Sequence, residues 1–429
     1  MKKHLVAIQW RQLLVPSVVA VAFLFLTPPR LLDGRYSIFE LSLVVLALTS
    51  LVARFRGAGY EVPVRWPVAL LILLGLMVSS TLWSSATLNT ARDAIGFVAL
   101  AIAAWVLTRN GPLARVVISI TVAGVVIVAV SLIALAVEPG TATQRVSGAF
   151  EGIYGNRNQL GFVMLQCLVA AIAIPARRRS AWLGRAALVA LFFGVIVASQ
   201  SRTSLIAAAL VLVVWGFLVL VNRSRRLALI GLAVAVAVAI AGGTVALINA
   251  PILLDVLGKD ETLNGRFSIW AGLWNLITTG PLLGFGFLRE WPGWSAQSAA
   301  VANELDGLAV VHAHNEILSW WSGVGVLGVV AIVALYGFVY WAGWKVYRQG
   351  TVLSAVFAIL VVFMMNIHGL TSVSETNAQG WFVFMLAVFA CSKYVVDVPG
   401  VGLTRWVIVG AAIQPQTAGI ARESEGVAR

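Results

Sequence analysis

The chain is poor in charge. Its 429 residues hold 30 Lys and Arg and only 17 Asp and Glu, so charged side chains make up 11% of it, against roughly a quarter in a soluble domain. Together with a 60% hydrophobic content, that scarcity excludes an ordinary soluble domain and points to a polytopic membrane protein. Cysteine is almost missing. Cys167 and Cys391 are the two present, both inside apolar stretches, and they imply neither a disulfide framework nor a metal site. Histidine is as scarce, at His4, His312, His314 and His368. The first apolar stretch, Leu13–Leu26, lacks an A-x-A-type cleavage site, so it reads as a retained span rather than a signal peptide. The net charge of +13 would suit nucleic acid. The basic residues sit instead in short loops between apolar runs, as topology requires, so no nucleic-acid partner is expected.

A helix needs about 20 apolar residues, with a range of roughly 17–25, to cross the hydrocarbon core. Segments of that kind are found near 13–28, 37–53, 67–83, 92–108, 116–137, 159–175, 183–199, 204–221, 227–249, 319–341, 352–370 and 379–396. The expected fold is therefore all-α and integral to the membrane. It has about twelve transmembrane helices and a long, partly helical extracytoplasmic loop between spans nine and ten. Placed on alternate sides, about 21 of the 30 Lys and Arg fall on the side that holds both termini, which makes that side cytoplasmic. The expected organisation is a membrane domain over 1–397, with a long extracytoplasmic loop at 250–318, followed by a cytoplasmic tail over 398–429.

That loop is long, and loops beyond about 12–15 residues are uncommon unless functional or disordered. It carries Trp270, Trp274, Trp291 and Trp294, a composition that argues against disorder. Arginines on the outer side stand singly in Gly- and Asn-rich settings: Thr143-Gln144-Arg145, Gly155-Asn156-Arg157-Asn158, Gln200-Ser201-Arg202-Thr203 and Asn264-Gly265-Arg266. Positive charge on the side the rule disfavours suggests a shared anionic ligand. Arg202 occupies a tight hairpin at the membrane boundary, where a charge faces a polar cavity or snorkels to headgroups. Arg266 opens an amphipathic stretch, Phe267–Trp274, and either meets such a ligand or pairs with Asp260 or Glu261. Guanidinium groups grip phosphate oxygens bidentately and stay charged, so converging arginines would clamp a pyrophosphate without a metal.

A general base would complete an enzyme, and imidazole is the usual one. In the outer loop that leaves His312 and His314, within His312-Ala313-His314-Asn315-Glu316. A metal held by His312, His314 and Glu316 is the competing use. Imidazoles at i and i+2 point to opposite sides of the backbone, however, and no D-x-D-type carboxylate pair completes the set.

From His314 the sequence runs His314-Asn315, nine residues, then Gly325-Val326-Leu327-Gly328. This H-N-x9-G-x-x-G arrangement resembles the hallmark of the bacterial O-antigen ligase family, in the wider O-antigen ligase/polymerase superfamily. Ser201-Arg202-Thr203 resembles the family's arginine in a short outer loop. Gly265-Arg266-x-x-x-Trp270 resembles its second arginine, and Gly155-Asn156-Arg157-Asn158-x-x-Gly161 a further superfamily pattern. The likeness covers about 150–375.

The resemblance implies an inverting, metal-independent glycosyltransferase without a cofactor, acting at the outer face of the cytoplasmic membrane. The donor would be a glycan on undecaprenyl pyrophosphate. The acceptor would be a hydroxyl of a glycolipid or glycan, lipid A–core in cells that have lipopolysaccharide. His314, Arg202 and Arg266 would be catalytic; Arg157, Arg145 and Asn315 would bind substrate; membrane lipids would be the remaining partners. Gly325 and Gly328 would let a neighbouring helix approach closely. A polysaccharide polymerase of the same superfamily is the nearest alternative. A twelve-span transporter or flippase is the remote one, marked by mid-membrane acids and paired broken helices. Glu40 and Asp93 lie near span ends instead, and no repeat stands out.

Overall fold

The structure is a computed structural model that describes residues 38–55, 64–109, 112–144, 147–176, 178–224, 266–288, 313–350 and 352–395, with scattered positions at 19, 23, 26 and between 226 and 234. Its elements are helices: α1 Ile38–Phe55, α2 Val68–Ser79, α3 Thr87–Arg109, α4 Leu113–Val137, α5 Arg157–Ala173, α6 Arg179–Ala198, α7 Arg202–Arg223, α8 Arg266–Thr279, α9 Glu316–Arg348, α10 Val352–Gly369 and α11 Ala378–Val395. Among the described residues the only extended pairing is one isolated bridge between Thr143 and Phe150. Ten of the expected apolar segments coincide with helices. Most of 13–28 and 227–249, much of the loop 250–318 and the tail 398–429 lie outside the described residues.

Among the described residues six helices are long and apolar enough to cross a membrane, namely α3, α4, α6, α7, α9 and α10; four shorter apolar helices accompany them. The bundle is built from the inside out. α5 is buried on every side from Leu160 to Ala173, and α10 is nearly so; helices apolar all round belong in such a position. α4, α6, α7 and α10 surround α5, while α9, α10 and α3 surround α11. α6 and α7 each bury a narrow stripe, Phe192, Val195 and Ile196 on one and Ala207, Ala208 and Val211 on the other. Their remaining faces, including Leu191, Val197, Ile206 and Val213, are apolar and exposed, as suits a lipid-facing surface.

α9 is broken near its start. Gly325 has φ 75 and ψ −174 inside an otherwise helical run, a conformation essentially restricted to glycine. The helical hydrogen bonds lost there are replaced by the segment after α8. Phe285 N–H donates to the Ser322 carbonyl at 2.7 Å, Gly286 N–H to the Gly323 carbonyl at 2.9 Å, and Val326 N–H to the Leu282 carbonyl at 3.3 Å. A Cβ on Gly325 would stand 2.0 Å from the Leu282 oxygen. The expectation of a neighbouring helix at Gly325 is thus corrected: what comes close is the backbone of a loop. The atoms nearest a Cβ on Gly328 belong to Val324 and Trp320 of its own helix. Phe287 completes the wedge, its ring 5.0 Å from Phe97 and 5.7 Å from Trp320, its N–H donating to Ser80 Oγ at 3.0 Å.

Candidate functional site

The first turns of α5 and α7 touch, and the segment 370–377 links them to the start of α9. α5 is capped by Asn156, whose Oδ1 accepts from Asn158 N–H at 2.9 Å and Gln159 N–H at 3.2 Å; an N-cap of this type satisfies donors the helix cannot. Arg157 is the first helical residue and half-buried. One turn on, Gly161 lets α7 come close, since a Cβ there would be 2.7 Å from Ser201 Cβ and 2.8 Å from Ser204 Oγ. Arg202 opens α7, so Arg157 and Arg202 begin helices whose first turns touch. The chain enters α7 through Gln200 at φ 53.

α9 begins at the expected histidine. His314 has φ 51, in the left-handed region, where non-glycine residues are uncommon and strain gathers at functional sites. Of the three described non-glycine residues with positive φ, Gln200 and His314 each stand within two residues of an expected site group. Asn315 caps α9: its Oδ1 accepts from Leu318 N–H at 3.0 Å, and its Nδ2 donates to the Leu370 carbonyl at 3.2 Å. Both polar ends of Asn315 are thereby engaged with protein.

α8 lies against this end. Ile269, Leu273 and Ile277, spaced i, i+4, i+8, bury one stripe with Ala313 against Leu318 and Trp321, which is the amphipathic helix expected from Phe267–Trp274. Trp270 Nε1 donates to the Ala313 carbonyl at 2.9 Å, one residue before His314. Arg266 opens α8 one turn earlier on the same face. Its Nη1 is buried and has no hydrogen-bond partner among the described residues; burial pushes its pKa below the ordinary guanidinium value, though such groups stay charged at physiological pH. Asp260 and Glu261, the alternative partners, lie outside the described residues, as do Arg145 and His312.

The segment between α10 and α11, residues 370–377, ties these starts together. Thr371 Oγ1 and Thr203 Oγ1 are 2.9 Å apart, which fixes the segment to the first turn of α7. The buried Glu316 carboxylate accepts from Ser374 N–H at 2.6 Å, Thr376 N–H at 2.8 Å and Thr376 Oγ1 at 3.3 Å. Ser374 Oγ also lies 3.0 Å from His368 Nδ1, whose ring stacks on Phe162 of α5 at 4.3 Å. Glu375 is wholly buried, and burial together with the neighbouring Glu316 carboxylate pushes its pKa well above the usual carboxylate range. Glu316 is thus turned into the protein, and no group of three or more His, Cys, Asp or Glu comes together among the described residues.

Sequence reading missed the 370–377 segment. Its signal was there: Thr371-Ser372-Val373-Ser374-Glu375-Thr376-Asn377 is a polar run between two apolar segments, with nothing local to say what it would touch. Thr203 and Glu316 were visible as motif neighbours, not as tethers.

Comparison with known proteins meets the same stretch of chain. The model of a family described as O-antigen ligase matches residues 186–333, a span that includes Arg202, Arg266, His314 and the break at Gly325. A curated relative, the exopolysaccharide production protein ExoQ of Rhizobium meliloti (strain 1021), is 27% identical over 198 residues. That match covers 43% of this chain and 44% of the relative, so less than half of the relative's length is spanned.

Proposed function

We propose, for a chain that belongs to the O-antigen ligase family through residues 186–333, that it transfers a glycan from an undecaprenyl-pyrophosphate-linked donor to an acceptor hydroxyl. The reaction takes place at the outer face of the cytoplasmic membrane, with both termini inside and about twelve spans. His314 takes the proton of the acceptor hydroxyl as its oxygen attacks the anomeric carbon. The bond from that carbon to the pyrophosphate oxygen breaks, and the configuration inverts. Arg202 and Arg266, with Arg157 and Arg145 assisting, hold the pyrophosphate and offset the charge that grows on it as it leaves. Asn315 fixes the turn that carries His314. No metal is needed in this scheme, because the arginines supply the positive charge.

The observation that carries the reading is the buried Nη1 of Arg266, without a hydrogen-bond partner among the described residues, on the helix whose Trp270 braces the residue before His314. A buried donor without an acceptor costs free energy, and an anionic substrate would provide the acceptor. The neighbouring helix starts at Asn156 and Ser201, and the start at Asn315 tied to them through 370–377, add positive dipole ends. The charge asymmetry of the loops supports the outward orientation.

The printed name of the relative, an exopolysaccharide production protein, favours a second reading, in which the acceptor is another lipid-linked repeat and the product is a longer polymer. The test is purified protein in lipid nanodiscs with excess EDTA, given lipid-linked glycan with and without a separate acceptor. Transfer to the acceptor supports the ligase; elongation of the donor without acceptor supports the polymerase. No transfer in either arm, or transfer that returns only on adding Mg²⁺ or Mn²⁺, overturns the metal-free scheme.

A further inference from the structure

We infer that Glu316 is a positioning residue: its carboxylate latches the 370–377 segment onto the start of α9 and so sets Arg202 relative to His314. The inference rests on the reading of Arg202 and His314 as the working groups. Its geometry is independent of that reading.

Two tethers leave the segment in opposite directions. Toward α7 runs the contact between Thr371 Oγ1 and Thr203 Oγ1 at 2.9 Å, one residue past Arg202. Toward α9 run Glu316 Oε2 to Ser374 N–H at 2.6 Å, Glu316 Oε1 to Thr376 N–H at 2.8 Å, and the Asn315 Nδ2 bond to the Leu370 carbonyl at 3.2 Å. The residues that make these bonds, Asn315 and Glu316, follow His314 directly. Between the site groups the segment is therefore a hydrogen-bonded bridge.

A carboxylate suits this bridge for a definite reason. Two backbone N–H groups and one hydroxyl converge on Glu316, and only a group offering acceptors on both oxygens satisfies them together. The two backbone contacts are short, at 2.6 Å and 2.8 Å. An amide at this position would turn one of its ends into a donor facing a donor. Glu316 is buried, with Glu375 beside it, so water cannot readily replace the lost bond.

The experiment has two arms. In the first, Glu316→Gln, Thr371→Ala and the double variant are assayed for glycan transfer in nanodiscs. Glu316→Gln is expected to lower kcat by about tenfold or more with the KM for lipid donor little changed, and the double variant to be no worse than Glu316→Gln alone. Residues of one network couple in this way, whereas independent sites add. Additive losses, or a KM rise without a kcat loss, overturn the latch.

The second arm needs no activity. Thr371→Cys is labelled with a membrane-impermeant maleimide, the native Cys167 and Cys391 being buried. Labelling is expected to speed up by about tenfold in the Glu316→Gln background, since local opening sets such access; an unchanged rate overturns the latch. Where Glu316→Gln does not assemble, Thr376→Val removes one of the three donors and serves both arms, with smaller effects in the same direction. If labelling responds while wild type transfers no glycan, the proposed function falls and the latch stands. If wild type transfers glycan and labelling does not respond, the latch falls alone.

Discussion

At the scale of single residues, His314 combines the proposed role of general base with a left-handed backbone at φ 51. Alanine would remove the imidazole and also place in the left-handed region a residue that adopts it less readily than histidine or asparagine. His314→Asn is therefore the cleaner variant. It should insert and purify like wild type yet lose about 10²–10⁴ in transfer rate, the usual cost of removing a general base. Donor binding should be largely retained, since the arginines remain. His312→Ala, two positions earlier in the sequence, should be far milder. Equal losses in the two variants would remove His314 from the chemistry.

Glu375 gives a second residue-scale expectation. Its pKa is pushed up by burial and by Glu316, so the folded protein keeps a proton that the unfolded chain releases above about pH 4.3. The folded form then binds more protons, and stability falls as pH rises from the unfolded value through the folded one. Glu375→Gln removes that term. Thermal unfolding scans of both proteins between pH 5 and 8 should show a decline for wild type that is flattened in the variant. Parallel curves would mean that Glu375 ionises freely in the fold.

At the scale of elements, the decisive feature is the break in α9. Gly325 is needed twice over, for φ 75 with an extended ψ and for the 2.0 Å approach of the Leu282 oxygen that any Cβ would meet. Gly325→Ala should cost about 1–3 kcal/mol from backbone strain alone, with the clash added to it. It should also weaken transfer, because the wedge after α8 would be displaced and α8 carries Arg266. Gly337, later in the same helix, has nothing within 4 Å of its ideal Cβ, so Gly337→Ala should match wild type in thermal stability. A Gly325→Ala protein as stable as the Gly337→Ala control would show that the break is not needed.

At the scale of the whole molecule, orientation decides whether the site can meet its substrates. Nucleotide sugars are cytoplasmic, whereas polyprenyl-linked glycans are presented outside, so the side on which α5, α7 and α9 begin separates the two chemistries. Ser224 caps the far end of α7 from Arg202. With an impermeant thiol reagent on intact cells, Ser298→Cys should label and Ser224→Cys should not. Labelling at position 224 would invert the topology and, with it, every outer-face assignment.

Composition and hydropathy by themselves determined that the chain is helical and membrane-embedded, and they located ten of the described helices, because each apolar run must satisfy its own backbone within one segment. Isolated arginines and the H-N-x9-G-x-x-G run likewise singled out the starts of α5, α7, α8 and α9, since local chemistry at helix starts leaves a local trace. Only the tertiary structure decided what those starts touch. Thr203 reaches Thr371 across 168 positions, and Glu316 reaches Ser374 and Thr376 across 58 and 60; no periodicity or spacing records contacts so distant in the chain. The same holds for Gly325, read as a seat for a helix and found to be a seat for a loop. A glycine announces that something comes close, and the packing alone says what it is.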